Sequence, residues 1–107
     1  MKSSSLSFSG LECIQPADAE ITGGYTSDLL SDVMAHLKEG DALITIQAHK
    51  NTVAVAALTG ASAIIFCHGR NVDADVIEAA AKENIALFVS SLNQFNTTCA
   101  LASALGR

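Results

Sequence analysis

Ala63-Ile64-Ile65-Phe66-Cys67 is an apolar run with no polar break. A strand with one face in water alternates apolar and polar residues. A strand buried on both faces does not, and such strands belong to parallel sheets covered by helices. Outward from this run the same theme recurs. Asp41-Ala42-Leu43-Ile44-Thr45-Ile46 reads as the strand before it, and Ala86-Leu87-Phe88-Val89 as the strand after it. Their centres, Ile44, Ile65 and Leu87, are 21 and 22 residues apart, which is one strand plus one crossover helix per unit. No leucine-rich or helical-pair consensus accompanies that spacing, so it is not a solenoid repeat.

The intervening segments read as helices. Asn51 to Leu58 is closed by Gly60, Asp73 to Glu83 follows the central strand, and Asn93 to Leu105 is closed by Gly106. A further helix starts near Thr26 or Ser27, either of which can cap it, and carries an apolar stripe at Leu29, Leu30, Val33, Met34 and Leu37. Asp28 falls in its first turn, Lys38 in its last, and Gly40 stops it. Upstream, Leu11-Glu12-Cys13-Ile14 reads as a short first strand ended by Pro16. Asp18 to Tyr25 reads as a loop whose glycines, Gly23 and Gly24, permit a positive φ or a close backbone approach. Together these elements predict a three-layer α/β/α domain with a mostly parallel four-stranded sheet and alternating βα units. The Ser-rich residues 1–10 are expected as a flexible lead-in, and residues 11–107 as one domain.

Composition narrows the function. The 107 residues carry 6 basic against 11 acidic side chains, a net charge of −5, which argues against a nucleic-acid partner. Half the residues are hydrophobic and 16% charged, which excludes intrinsic disorder, and no apolar run is long enough for a membrane partner. Met1-Lys2-Ser3-Ser4-Ser5-Leu6-Ser7 lacks the apolar core of a signal peptide. Cys13, Cys67 and Cys99 are an odd set without a CxxC spacing. A cytoplasmic, reduced protein is expected, with Cys67 and Cys99 as small core hydrophobes. The final helix, with Phe95, Cys99, Ala100, Leu101, Ala102, Ala104 and Leu105, has little polar circumference, and self-association is expected to cover it.

Ligands of open parallel sheets bind beyond the carboxyl ends of the strands. There the sequence places Gln47, His49, Lys50, Asn51 and Thr52 after one strand, His68, Gly69, Arg70 and Asn71 after the next, and Ser90, Ser91 and Asn93 after the last. The Gly23-Gly24-Tyr25 loop is expected to join them through its N–H groups. Lys50 and Arg70 near helix N-termini suit an anion such as a phosphate. Other chemistry is weakly supported. His49, Cys67 and His68 match no metal-ligand spacing. Asp28, Asp32 and His36, four residues apart in succession, read as a solvated helix face ahead of an acid–base pair. Ser90 or Ser91 with His68 lacks a G-x-S-x-G elbow, and neither a P-loop nor G-x-G-x-x-G occurs. Glu78 and Lys82 form an ordinary surface pair. No catalytic residue, metal site or cofactor is expected.

The run Gly23-Gly24-Tyr25-Thr26-Ser27-Asp28-Leu29-Leu30-Ser31-Asp32-Val33-Met34, followed by Gly40-Asp41 and a strand, resembles the DRTGG domain family. The likeness extends from about Asp18 to Leu105 and takes in Asn51, Ile64-Ile65-Phe66, Gly69 and the helix start from Asp73 to Ile77. Thr22-Gly23-Gly24 keeps the last three residues of the naming motif, whereas Glu20 and Ile21 replace its Asp and Arg. The resemblance implies a small α/β module of no established enzymatic activity that pairs through this domain. Such modules occur attached to phosphotransacetylases, in the nucleotide-sensing region of certain pyrophosphatases, and alone. Some stand-alone members bear the name of HPr serine kinases, an activity not carried over to a chain without a P-loop. Others occur in anaerobes near iron-only hydrogenase genes. The expectation is therefore a regulatory or assembly module that forms a homodimer and contacts a larger metabolic or signalling protein. The alternative is a sensor of a nucleotide or phosphorylated metabolite at the strand ends, and the third reading a small enzyme using His49 or His68.

Overall fold

The computed structural model describes residues 1–107. Five strands and four α-helices follow one another: β1 (Leu11–Gln15), β2 (Gly23–Thr26), α1 (Leu30–His36), β3 (Asp41–Thr45), α2 (Lys50–Thr59), β4 (Ala63–Phe66), α3 (Ala74–Lys82), β5 (Ala86–Ser90) and α4 (Gln94–Ala104). They form one sheet in the order β1-β5-β4-β3-β2. β2, β3, β4 and β5 are mutually parallel, and β1 pairs antiparallel with β5. The fold is the expected α/β arrangement with one strand more than the four predicted.

The extra strand is β2, where the sequence reads as a loop. Gly23 and Gly24 have ordinary extended backbones and align with Asp41 and Ala42 of β3. Their role is close approach. A Cβ on Gly24 would lie 2.8 Å from Leu101 Cδ2, and one on Gly23 would lie 2.7 Å from Asp41 Oδ1. The strand also delays the first helix. α1 starts at Leu30, not near Thr26 or Ser27. Ser27 still assists the turn, its Oγ accepting from the Leu29 N–H at 3.2 Å.

The crossovers β2-α1-β3, β3-α2-β4 and β4-α3-β5 all step the same way along the sheet, so their common right-handedness puts α1, α2 and α3 on one face. That core contains Val33, Leu37, Leu43, Val53, Ile64, Phe66, Val76 and Leu87. Alternate strand residues point to the other face, where Ala42, Ala63 and Ala86 align in one row across the sheet and Ile44, Ile65 and Phe88 in the next. Only α4 packs there, against β2 and β3.

One helix leaves much of that second face bare, which explains residues 1–10. The expected flexible lead-in is instead packed. Ser3–Ser5 form a 3-10 turn, Leu6 is 6% exposed, and Met1 and Phe8 lie against the same cluster. The segment is held by Ser3 N–H to Ala19 O (2.8 Å) and Ile21 N–H to Met1 O (2.7 Å). At the other end of the chain, the Arg107 guanidinium donates to Thr22 O at 2.8 Å.

Two expectations about side chains are corrected. Cys67 is buried, but Cys99 lies on the outer side of α4 and is exposed, as is Cys13. Burial pushes the Cys67 thiol up from its ordinary value. The apolar residues of α4 are not buried all round: Thr97 and Leu101 face the sheet, while Phe95 is 74% exposed. No helix is long and apolar enough to cross a membrane.

Candidate functional site

The carboxyl ends of β2 to β5 share one edge of the sheet, and the N-termini of α2, α3 and α4 return to it. Several polar residues of this rim serve the fold itself. Thr52 is buried and its hydroxyl donates to Gln47 O at 2.5 Å. Ser90 is buried and shares a hydrogen bond with Thr97 Oγ1 at 2.8 Å. Asn93 caps α4, its Oδ1 accepting from the Asn96 N–H at 2.8 Å. The His68–Gly69 turn takes two successive left-handed residues, with φ 65° and 58°. Its N–H groups are also engaged, His68 to Leu92 O at 3.0 Å and Gly69 to Ser90 O at 2.9 Å.

The sequence gives no special weight to Asp28, yet it organises this end. Its Oδ1 accepts from the Thr45 hydroxyl (2.9 Å), the Ile46 N–H (2.9 Å) and Gln94 Nε2 (3.0 Å). Asp28 precedes α1 and does not stand on it. Asp32 and His36 do share the exposed face of that helix, with His36 Nδ1 3.0 Å from Asp32 Oδ1. Tyr25 joins them, its hydroxyl donating to Asp32 Oδ2 at 2.7 Å. That hydrogen bond, with help from Ser27 and His36, holds the Asp32 carboxyl below the ordinary carboxylate value and raises the Tyr25 phenol above its own.

What remains free at the rim is His49, Lys50, Asn51, His68 and Arg70, all exposed. Neither Lys50 nor Arg70 has a carboxylate within ion-pair distance, whereas Glu78 and Lys82 are 3.5 Å apart. Lys50 and Asn51 line one shallow groove and Arg70 a second, whereas His49 and His68 line neither. The first, of about 400 Å³, runs between α2 and α3 from Lys50 and Asn51 to Lys82 and Glu83. The other, of about 360 Å³, lies between β1 and the loop after β4 and holds Gly69, Arg70, Asn71 and Glu12. Gly23 and Gly24 are not at this rim. They pair with the first residues of β3, at the opposite end of the parallel strands. No His, Cys, Asp and Glu side chains are grouped in threes so as to hold a metal ion.

The family model for the DRTGG domain matches residues 26–104. Among solved structures, the chain is similar to the CBS and DRTGG domains of the regulatory region of Clostridium perfringens pyrophosphatase, complexed with the activator diadenosine tetraphosphate. The TM-score is 0.71 at 17% identity, over 89% of this chain and 43% of that one. At that identity the likeness establishes a shared fold. No curated protein matches the chain.

Proposed function

The chain belongs to the DRTGG domain family, and from that premise we propose that it is a non-catalytic regulatory and assembly module. It pairs with a second copy of itself and contacts a larger metabolic or signalling protein. The observation that carries this reading is the exposure of large apolar side chains on a small domain. Leu29, Leu58 and Phe95 are 65%, 73% and 74% exposed, and Met34 48%. Contiguous apolar groups in water mark surfaces that other proteins cover, and Met34 and Leu58 stand on the neighbouring helices α1 and α2. Sedimentation of the purified chain at micromolar concentration, with capture from its native extract, tests it. A dimer that retains a defined partner is the expected result. A monomer that retains none overturns the reading.

A second reading, a nucleotide or phosphometabolite sensor, is favoured by one observation. Lys50 and Arg70 stand unpaired beside the N-termini of α2 and α3 in a chain of net charge −5. Cations held near helix N-termini attract phosphate. The regulatory region to which the fold is similar is itself complexed with a dinucleotide activator, and the present chain spans less than half of it. Under this reading a nucleotide from a panel raises the melting temperature, and Arg70→Ala or Asn51→Ala removes the rise. A flat response across the panel counts against it. Turnover that follows a histidine titration and is lost in His49→Ala or His68→Ala is the signature of the third reading.

A further inference from the structure

The two edges of the sheet are built differently. β1 carries Glu12, a break in register between Cys13 and Gln15, and Pro16 just beyond its end. A charge, an irregularity and a proline are devices by which an edge strand resists pairing. β2 has none of them. Gly23-Gly24-Tyr25-Thr26 is uncharged and keeps an unbroken register with β3 from Gly23–Asp41 to Thr26–Ile44. Ser27 N–H donates to Ile44 O at 3.2 Å. The two-residue period of a strand therefore turns the Tyr25 backbone toward β3 and those of Gly24 and Thr26 toward the open side. Gly24 and Thr26 are both exposed, and no turn or loop hydrogen bond reaches their backbones.

α4 flanks this edge. Leu101 rests on Gly24, and Thr98 shares a 2.8 Å hydrogen bond with Thr26. On the side of α4 that carries Thr98, Phe95 stands in water and Ala102 and Leu105 are half-buried. No charged residue occurs from Ser90 to Gly106 or from Ile21 to Ser27. A strand edge with no charged residue of its own thus adjoins a helix face with none, on a molecule of net charge −5. The charges near it include the Arg107 guanidinium, bound to Thr22 O at the start of the edge, and Asp32, bound to Tyr25 on the opposite face of the sheet. Two copies of such a chain repel each other overall, and they meet at least cost where charges are fewest, as along Gly24 to Thr26 and the adjoining side of α4.

We infer that a second copy of this chain covers the β2 edge, its β2 running antiparallel across a two-fold axis that passes between the two Tyr25 residues. This rests on the proposed self-pairing and assigns it a surface. Gly24 exchanges both backbone hydrogen bonds with the second copy's Thr26, and Thr26 with the second copy's Gly24. The α4 helices flank the axis on one face of the joined sheet, so that Phe95 leaves water. Self-pairing of this kind is closed, because the outer edges of the joined sheet are both β1, which is guarded. The assembly stops at two.

Sedimentation equilibrium tests the assignment. The intact chain is expected to be a dimer, and Thr26→Lys and Phe95→Glu are each expected to weaken it about a hundredfold or more, since each sets like charges against each other across the axis. Ala81→Lys, at an exposed position of α3, a helix that packs against β1 and β5 away from β2, is expected to change nothing. Circular dichroism checks that each variant folds. Tyr25→Cys, with Cys13→Ser and Cys99→Ser, is expected to give a disulfide-linked dimer on oxidation, because facing residues of this kind lie within disulfide reach. A dimer that Thr26→Lys and Phe95→Glu leave intact overturns the surface while the self-pairing stands. An intact chain that is monomeric throughout overturns both. Weakening without the cross-link overturns the antiparallel register.

Discussion

Gln94, the first residue of α4, donates its side-chain amide to Asp28 Oδ1 at 3.0 Å, across 66 residues of chain. The same oxygen takes up the Thr45 hydroxyl and the Ile46 N–H. One carboxylate therefore fastens the entry to α1, the end of β3 and the start of α4.

Asp28→Ala strips acceptors from Thr45, which is fully buried, and from the Ile46 N–H. The expected loss is about 2–4 kcal/mol, as for buried donors left without partners. Asp28→Asn keeps an oxygen in place and is expected to lose about half as much or less. Urea unfolding with an unchanged m-value checks both.

Gly24 and Leu101 are expected to behave as a coupled pair. Gly24→Ala sets a methyl 2.8 Å from Leu101 Cδ2, the end of a flexible side chain. The expected cost is about 1–3 kcal/mol, and Leu101→Ala alone opens a cavity costing about 2–5 kcal/mol. The double variant is expected to fall short of the sum of the two, because the first methyl occupies space that the second change vacates. Additive values in a double-mutant cycle would remove the contact from the account.

The Tyr25–Asp32 bond predicts a pH signature. The Asp32 carboxyl is held below its ordinary value, so its contribution is present above the unfolded carboxylate range and is lost as pH falls through the lowered folded value. Tyr25 is shifted the other way, so its contribution persists below about pH 10 and is lost as pH rises beyond its raised value. Tyr25→Phe is expected to lower the melting temperature across the intervening range and to flatten the acid limb of the stability curve. Melting temperatures from pH 2 to 8 check it.

How much of this was legible in the sequence differs from residue to residue. β3, β4 and β5 announce themselves through apolar runs, because burial on two faces leaves no room for alternation. β2 does not, because Gly23-Gly24-Tyr25-Thr26 has the composition of a turn, and only its pairing with Asp41–Ile44 makes it a strand. Cys99 sits among apolar letters but points outward, since the chain does not say which side of α4 meets the sheet. At the rim the polar residue types were readable as loops. Which of them the fold uses internally was not, because the Ser90–Thr97 and Asp28–Gln94 contacts exist only once α4 has docked.

His68 offers a test that separates stability from ligand binding. It holds φ at 65°, a conformation natural to glycine. His68→Gly is expected to gain about 0.5–1 kcal/mol by relieving that strain. If the imidazole serves the sensor reading, the same variant loses the nucleotide-dependent rise in melting temperature. A variant that gains stability and keeps the rise assigns His68 no part in binding.

The two chain ends meet the fold at consecutive residues, Met1 through Ile21 and Arg107 through Thr22. Both termini therefore lie at one corner of the domain, at the start of the parallel strands. Splicing it into the loop of a host protein would strain neither, and force passed between host and module would enter at that corner. The far rim, where Lys50 and Arg70 stand, would stay turned outward, free to report on whatever it meets.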